Sequence, residues 1–260
     1  MLFERERERS MEIDTAALDA RIDAIRNDLS RVSTATTCQL LDLMGWRNTY
    51  MRGMAPLKRL GDGVRLVGRA RTCRYLMRRG PHQGHDPVAR RQSAEIVSIE
   101  SLQPGEIFCV DALGLPTAGI IGDILSTRMR VRGALAAIIH GSVRDTVEVK
   151  DVGLPVLCNG MHPGASGREL VAVDHDLPIN MGGAQVLPGD VILIDDEGAI
   201  AMPIELAEYV AEHGTEKEDL EIWIRGKIEA GGSVHDYYPP TPEKLEEYQQ
   251  ETGKTVQKPN

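Results

Sequence analysis

An unbroken apolar run at Ala134–Ile139 constrains the fold of this chain of 260 residues more than any other feature. An apolar run of this length is typical of a strand that is buried on both faces of a sheet. Helical patterns flank the run at Asp123–Arg132 and Asp145–Asp151, and Pro155–Cys158 follows as the next predicted strand. This alternation predicts an α/β fold in which parallel strands are joined by right-handed crossovers.

The pattern changes after this parallel region. Short apolar segments separated by Gly-rich or Pro-Gly turns are typical of antiparallel or barrel-like strands. Strands of this kind are predicted at Glu169–Val173, Val186–Leu187, Val191–Ile194 and Ala199–Met202. Upstream, Gly61–Arg74 is predicted to be a strand and the polar segment Arg78–Arg91 a loop.

Helices are predicted on both sides of the sheet region. After Asp14, apolar residues at spacings of four, three and four form one stripe of a helix. Near the other end, two helices are predicted at Ile204–Glu212 and Lys217–Glu229. We therefore expect one domain over residues 14–232, preceded by a flexible charged N-terminus (residues 1–13). Residues 233–260 form a C-terminal arm that has too few apolar residues for its own core, so we expect it to pack on its own or a neighbouring subunit.

Composition and charge exclude several classes of function. Asp and Glu number 39 against 30 Lys and Arg, a net charge of −9 that argues against nucleic-acid binding. The four cysteines are far apart, with no CxxC pair, which argues against a disulfide framework and favours a reducing compartment. No apolar stretch approaches the ~18 residues of a membrane span, and the N-terminus is too polar for a secretion signal. We expect a cytoplasmic protein that binds neither membranes nor nucleic acid.

The segment Gly141–Asp145 carries the first candidate site, directly after the apolar run. Ligands of open α/β sheets gather at the carboxyl ends of strands. There, Arg144 could grip a carboxylate with two hydrogen bonds, and Asp145 could hold a hard divalent cation. The alternative is that Asp145 only caps the following helix and that Arg144 is a surface residue.

A second candidate, Gly119–Leu125, opens another predicted helix. Free backbone N–H groups at a helix N-terminus attract anions, and glycine permits close approach. Gly122, Ile124 and Leu125 are therefore candidates for binding a substrate carboxylate. Asp123 could be a ligand, a base or simply an acid at the start of the helix. An ordinary strand-to-helix turn is the alternative for the whole segment.

Three histidines are weaker candidates. His82 and His85 lie in a Gly-rich segment and could bind a metal, but the pair lacks a helix or further spaced ligands. His140 immediately precedes Gly141 and could lie near the chemistry, or it could be a hydrogen-bonded core histidine.

The chain resembles the RraA-like family, over about Thr34–Gly231, chiefly in the segments GIIGDILSTRMRVRGALAAIIHGSVRDTVEVKDVGLPV and INMGGAQVLPGDVILIDDEGAIAMP. That family includes 4-hydroxy-4-methyl-2-oxoglutarate / 4-carboxy-4-hydroxy-2-oxoadipate aldolases and the regulator of ribonuclease activity A. The resemblance implies a β/β/α sandwich of the swivelling phosphohistidine-domain type, here with flanking N- and C-terminal helices. It also implies a homotrimer or hexamer with active sites between subunits.

The resemblance also implies roles for particular residues. The family's aldolases carry a GxxL element and an Arg-Asp pair, which match Gly122–Leu125 and Arg144-Asp145 here. Asp145 would then be the metal ligand, Arg144 the substrate-binding catalytic residue, and Asp123 a further catalytic candidate. An acidic residue of a neighbouring chain could complete the site, and Glu197 is the candidate.

The function that the resemblance implies is a carbon–carbon lyase of the metal-dependent (class II) aldolase type that uses Mg²⁺ or Mn²⁺. It would act on a small 2-oxo acid by retro-aldol cleavage that releases pyruvate, by oxaloacetate decarboxylation, or both. The alternatives are a non-catalytic protein-binding regulator and a related metal-dependent lyase or tautomerase on another oxo acid. Since the polar segment His82–Arg91 and the C-terminal arm depart from short family members, the specific substrate is not carried over.

Overall fold

The computed structural model describes residues 15–80 and 87–255. The predicted flexible N-terminus (residues 1–13) and the histidines His82 and His85 lie outside the described residues. Within the two described ranges the chain forms a mixed α/β fold in which helices cover a single large sheet. The finer expectation, a sandwich of the swivelling phosphohistidine type, stays a prediction.

The strands alternate with helices in the first half of the chain and follow one another in the second half. In chain order they are β1 (Ala55–Pro56), β2 (Leu66–Met77), β3 (Glu106–Asp111), β4 (Ala136–Val143), β5 (Val156–Met161), β6 (Leu170–His175), β7 (Ile179–Met181), β8 (Ala184–Val186), β9 (Val191–Asp195) and β10 (Gly198–Met202). The apolar run thus forms a strand that extends beyond Ile139 into the polar segment, so that His140 and Ser142 belong to β4.

The main sheet has the strand order β1-β5-β4-β3-β2-β9-β10, and β6 pairs with β2 outside this path. Strands β2 to β5 are mutually parallel, whereas β6, β9 and β10 join antiparallel. Strands β7 and β8 form a separate hairpin. The predicted change from a parallel to an antiparallel region is therefore confirmed.

A single segment, residues 49–57, links the two outer edges of the sheet. At one edge the Met51 N–H donates to the Ala199 carbonyl of β10 at 2.9 Å. At the other edge β1 pairs with β5, and the Leu57 N–H donates to the Val156 carbonyl at 2.8 Å. Because one segment binds both edge strands, the sheet is nearly closed and barrel-like.

Alternate residues of each central strand enter two different cores. In β3, Ile107 and Cys109 join an interior cluster with side chains of β9 and β10. Phe108 and Val110 instead join an outer cluster under the helices that follow β2, β3 and β4. Both faces of the strand are therefore buried, which explains why these strands are continuous apolar runs rather than alternating ones.

The helices cover the outer face of the sheet. In chain order they are α1 (Thr15–Leu29), α2 (Thr34–Leu43), α3 (Pro87–Arg91), α4 (Ala94–Ser101), α5 (Asp123–Arg132), α6 (Thr146–Val152), α7 (Ile204–Glu229), α8 (Val234–Tyr237) and α9 (Pro242–Thr252). Helices α1, α2 and α7 pack against β9 and β10 through a third cluster of buried side chains. Arg78–Arg91 was predicted to be a loop. The prediction was wrong for the end of this segment, since residues 87–91 are helical.

One long helix, α7, replaces the two helices predicted at Ile204–Glu212 and Lys217–Glu229. It runs for 26 residues without a break at Gly214. A Cβ atom at Gly214 would lie 2.6 Å from Cγ1 of the fully buried Val32. The prediction of two helices was wrong because packing against Val32, in the turn between α1 and α2, outweighs the weak helix propensity of glycine.

The C-terminal arm lies on α7 of its own chain. Tyr237 and Tyr248 pack edge-on against Trp223, with ring centroids 5.7 Å and 5.4 Å away. Lys227 of α7 forms an ion pair with Glu247 of α9 at 2.7 Å. The arm thus has a surface within its own chain, and it gives no physical reason to expect an oligomer.

The sequence predicted neither a membrane span nor a disulfide framework. Among the residues that the structure describes, no helix combines the length and apolarity needed to cross a membrane. All four cysteines, Cys38, Cys73, Cys109 and Cys158, are free thiols.

We predict that Gly214→Ala destabilises the fold, although alanine is the better helix former. The added Cβ would collide with Val32, and overpacking of this kind costs about 1–3 kcal/mol. Gly226→Ala in the same helix is the matched control, because a Cβ there meets nothing within 4 Å. The control should gain up to about 1 kcal/mol from helix propensity. Urea denaturation measures both changes, and a stabilised Gly214→Ala variant would contradict the packing role.

Candidate active site

A cavity of about 760 Å³ opens at the carboxyl ends of β2 and β4. Its lining comes from four regions: Arg144 and Asp145 after β4, the start of α5, the 3₁₀ turn Ser166–Arg168 with the following β6, and the end of β2 with α3 and α4. The cavity therefore lies where ligands of α/β sheets usually bind. It brings together the two segments that the sequence singled out.

Backbone hydrogen bonds hold these two segments side by side. The Ile120 N–H donates to the Ser142 carbonyl at 2.8 Å, and the Arg144 N–H donates to the Ile121 carbonyl at 3.0 Å. Residues 119–121 therefore extend along the end of β4 like a short further strand. As a result, the start of α5 lies directly beside the Arg144–Asp145 pair.

Two glycines make this close approach possible. A Cβ atom at Gly122 would lie 2.5 Å from Oδ2 of Asp145, and one at Gly119 would lie 2.7 Å from Cβ of Arg144. The backbone of Gly122 is extended, with φ −129°, a conformation open to any residue. At position 122 glycine therefore leaves the space that the Asp145 carboxylate occupies, and the backbone angle there does not call for glycine.

The Arg144 and Asp145 side chains form an ion pair at the edge of the cavity. Nε of Arg144 lies 2.9 Å from Oδ2 of Asp145, and the two side chains are 39% and 34% exposed. Asp145 has φ 51° and precedes α6, but its side chain makes no capping hydrogen bond to the helix. Asp145 thus occupies the N-cap position without capping the helix through its side chain, and its carboxylate is directed to Arg144.

The N-terminus of α5 supplies a second polar group to the cavity. Gly122 occupies the cap position without a side-chain hydrogen bond, so the first N–H groups of the helix have no cap. Gly122, Asp123, Ile124 and Leu125 all line the cavity, as the sequence predicted for an anion-binding segment. The Asp123 side chain is half-buried in the first turn.

Another wall of the cavity was missed by the sequence interpretation. It is formed by Tyr75, Arg78 and Arg90, together with small and apolar residues of α3, α4 and β6. Behind this wall Glu95 is fully buried; it accepts a hydrogen bond from the Tyr75 hydroxyl and pairs with Arg90 at 2.7 Å. The arginines of the polar segment after β2 were the available signal, but nothing local showed that α3 folds back over the cavity.

Burial has the largest effect on the pKa of the Glu95 carboxyl. Desolvation raises the pKa of the Glu95 carboxyl, while the Arg90 guanidinium and the Tyr75 hydroxyl act in the opposite direction. Desolvation and the neighbouring Glu95 also raise the pKa of the Tyr75 phenol well above its usual range. Tyr75 therefore acts as a neutral hydrogen-bond donor to Glu95.

Two other predicted residues lie away from the cavity. Glu197 is exposed in the hairpin between β9 and β10, at the amino end of β2 and thus at the opposite end of the sheet. His140 lies on the other face of β4, with Nδ1 3.3 Å from Oδ1 of Asp111. Neither residue lines the cavity of its own chain.

Comparison with known proteins identifies the family. The model of the RraA-like family, described as Aldolase/RraA, matches residues 34–201. The chain therefore belongs to the RraA-like family, as its sequence resemblance indicated.

The proteins that this chain resembles carry different names. The chain is 22% identical to Protein DlpA of Legionella pneumophila over 182 residues. This match covers 70% of the chain but only 28% of DlpA. Over 146 residues the chain is 28% identical to the 4-hydroxy-4-methyl-2-oxoglutarate aldolase of Thermus thermophilus, covering 56% of this chain and 80% of the aldolase. The crystal structure of Streptomyces coelicolor RraAS2, an unusual member of the RNase ES inhibitor RraA family, matches with a TM-score of 0.69 and 30% identity, over 78% of this chain and 96% of that one.

Proposed function

We propose that the protein is a carbon–carbon lyase that acts on a small 2-oxo acid. It would cleave a 4-hydroxy-2-oxo acid to release pyruvate, decarboxylate oxaloacetate, or do both. The observation that carries this proposal is the Arg144–Asp145 pair, placed at the edge of a cavity and against the uncapped start of α5. The name of the Thermus thermophilus relative supports an aldolase.

The residues present fit a hard divalent cation such as Mg²⁺ or Mn²⁺. Two carboxylates, those of Asp123 and Asp145, line the same cavity, and oxygen ligands suit such ions. Across residues 15–80 and 87–255, no group of three or more His, Cys, Asp or Glu side chains could hold a metal. The ion would therefore be held mainly by Asp145 and by water, as Mg²⁺ commonly is. When bound, it would supply Lewis-acid polarisation of the 2-oxo group.

The chain's own groups would bind the pyruvate portion of the substrate. A guanidinium can form two parallel hydrogen bonds with a carboxylate, and Arg144 is placed to do so at the edge of the cavity. The uncapped N–H groups at the start of α5 would bind the same end, aided by the helix dipole. Both groups stabilise negative charge, so they favour the charge that develops on the enolate oxygen over the uncharged 2-oxo group of the ground state.

In the retro-aldol reaction the C3–C4 bond breaks and its electron pair passes into the pyruvate enolate. The C4 hydroxyl loses its proton as the second product becomes a carbonyl compound. We assign acceptance of that proton to Asp123, directly or through water, because this half-buried carboxylate lines the cavity. Protonation of the enolate at C3 then gives pyruvate. Oxaloacetate would give the same enolate by loss of CO₂, without the first proton transfer.

A protein-binding regulator is the second candidate function. The fold similarity to RraAS2, a member of an RNase inhibitor family, favours it. A purely regulatory role requires neither a bound metal nor the Arg144–Asp145 pair, so a metal-binding assay separates the two functions.

We predict that Asp145→Asn abolishes metal-dependent pyruvate release while the fold is retained. Asparagine tolerates the left-handed backbone found at this position, whereas alanine would add strain. Glu148→Gln is the matched control, since it removes one carboxylate from the exposed first turn of α6, outside the cavity. Activity is measured with oxaloacetate and a 4-hydroxy-2-oxo acid in Mn²⁺, and circular dichroism checks the fold. Full activity of Asp145→Asn would overturn the assignment.

We predict that Arg144→Lys lowers kcat about 100-fold, a loss of ~3 kcal/mol of transition-state stabilisation. Lysine keeps the charge but cannot form the planar two-point contact with a carboxylate. Arg130→Lys on the exposed face of α5 should behave like the parent protein. Steady-state kinetics measure the effect, and a variant within twofold of the parent would show that Arg144 is peripheral.

We further predict that the site is shared between protomers of a homotrimer or hexamer. Glu197 lies at the opposite end of its own sheet, so it could reach an Arg144–Asp145 pair only from a neighbouring protomer. Glu197→Ala and Asp145→Asn should each be inactive alone, and mixing the two unfolded variants before refolding should restore part of the activity. An active monomer in light scattering, or full activity of Glu197→Ala, would contradict the shared site.

A further inference from the structure

We propose that Arg78 and Arg90, which line the same cavity, form a second carboxylate-binding site there and select 2-oxo acids that carry another negative charge. This inference rests on the proposed function for the chemistry at the Arg144 end. It assigns a specificity role to residues of the wall formed by β2 and α3, away from the Arg144–Asp145 pair.

Among the described residues, Arg78 carries a positive charge that no carboxylate compensates. Its Nε donates to the carbonyl of Gly167 at 2.9 Å, a neutral partner in the turn that lines the same cavity. Arg71 and Arg74, on the preceding strand, are instead paired with Asp176 and Asp174. Within the described residues, no carboxylate lies at ion-pair distance from Arg78. Its terminal nitrogens are therefore available for an anionic ligand.

Arg90 is held in place from behind. Its guanidinium lies 2.7 Å from the Glu95 carboxylate, which is fully buried, while its own side chain is 46% exposed. Tyr75 donates to the other oxygen of the same carboxylate, so Glu95 is anchored from two sides. The charge of Arg90 is balanced by Glu95, and its contribution is a set of oriented N–H donors. Arg78 supplies the net charge.

The apolar residues of the cavity lining explain why Arg78 would bind an anionic ligand. Ile96, Leu125, Leu170 and Ala172 line the same cavity. An arginine without a counter-ion beside such apolar groups loses part of its hydration without compensation, and a bound carboxylate restores it. The cavity, at about 760 Å³, also exceeds what pyruvate alone would fill. A substrate with a carbon chain and a distal carboxylate would use both charged ends.

The inference is tested with two ligands that differ only at the far end. 2-Oxoglutarate and 2-oxopentanoate have the same carbon chain, but only the first has a distal carboxylate. Calorimetric titration with Mg²⁺ present should show that the full-length protein binds 2-oxoglutarate about tenfold more tightly, a typical effect of one charge-assisted contact. Arg78→Gln should remove this preference without changing the affinity for 2-oxopentanoate, and Arg90→Gln should reduce it.

The neighbouring arginines provide matched controls. Arg79 and Arg91 are exposed and do not line the cavity, so Arg79→Gln and Arg91→Gln should keep the full preference. A purely structural role of Arg78, through its bond to Gly167, would weaken both ligands equally and would overturn the inference. Equal binding of the two ligands by the parent protein, or binding of neither, would overturn it as well.

The binding test and the activity test can each contradict one proposal and leave the other standing. If the protein prefers 2-oxoglutarate through Arg78 but releases pyruvate from no 2-oxo acid, the lyase proposal is wrong and the second site stands. If it releases pyruvate but shows no preference for the dicarboxylate, the second site is wrong and the lyase proposal stands.

Discussion

The candidate site depends on the backbone pairing between residues 119–121 and the end of β4. This pairing places the uncapped start of α5 against the Arg144–Asp145 ion pair, although the two segments are separated by a whole helix and most of a strand. Main-chain hydrogen bonds fix the separation, and Gly119 and Gly122 remove the Cβ atoms that would prevent it. The polar groups are therefore positioned by rigid elements, which is the arrangement that electrostatic stabilisation of a developing charge requires.

Two different parts of the chain form the walls of the cavity. One part is built from the carboxyl ends of parallel strands, where the sheet itself dictates the position of Arg144 and Asp145. The other part comes from the segment after β2, which folds back so that Arg90 is anchored on the buried Glu95. The proposed chemistry and the proposed choice of substrate therefore rest on different segments of the chain.

The elements that could be predicted from the sequence are those whose signal is local. Ala134–Ile139 revealed a strand with two buried faces, and the two cores of the sheet account for that pattern. The grouping of Gly122 with Arg144-Asp145 was implied by the family resemblance, and the cavity brings the two segments together. The wall at Arg78 and the continuous α7 were missed, since both depend on contacts between distant segments. Gly214 weakens a helix locally, and the close approach of Val32 leaves no room for a Cβ there.

Closure of the sheet by residues 49–57 has a consequence for how the chain is made. Met51 pairs with Ala199, so the ring cannot close on the ribosome until β10 has been synthesised. Before then the first half of β2 has already emerged without its partner β9, and an open strand edge is a template for association with other chains. Contacts between such distant positions also form slowly. The period of greatest aggregation hazard for this protein is therefore its own translation, and it ends when a segment made early meets a strand made late.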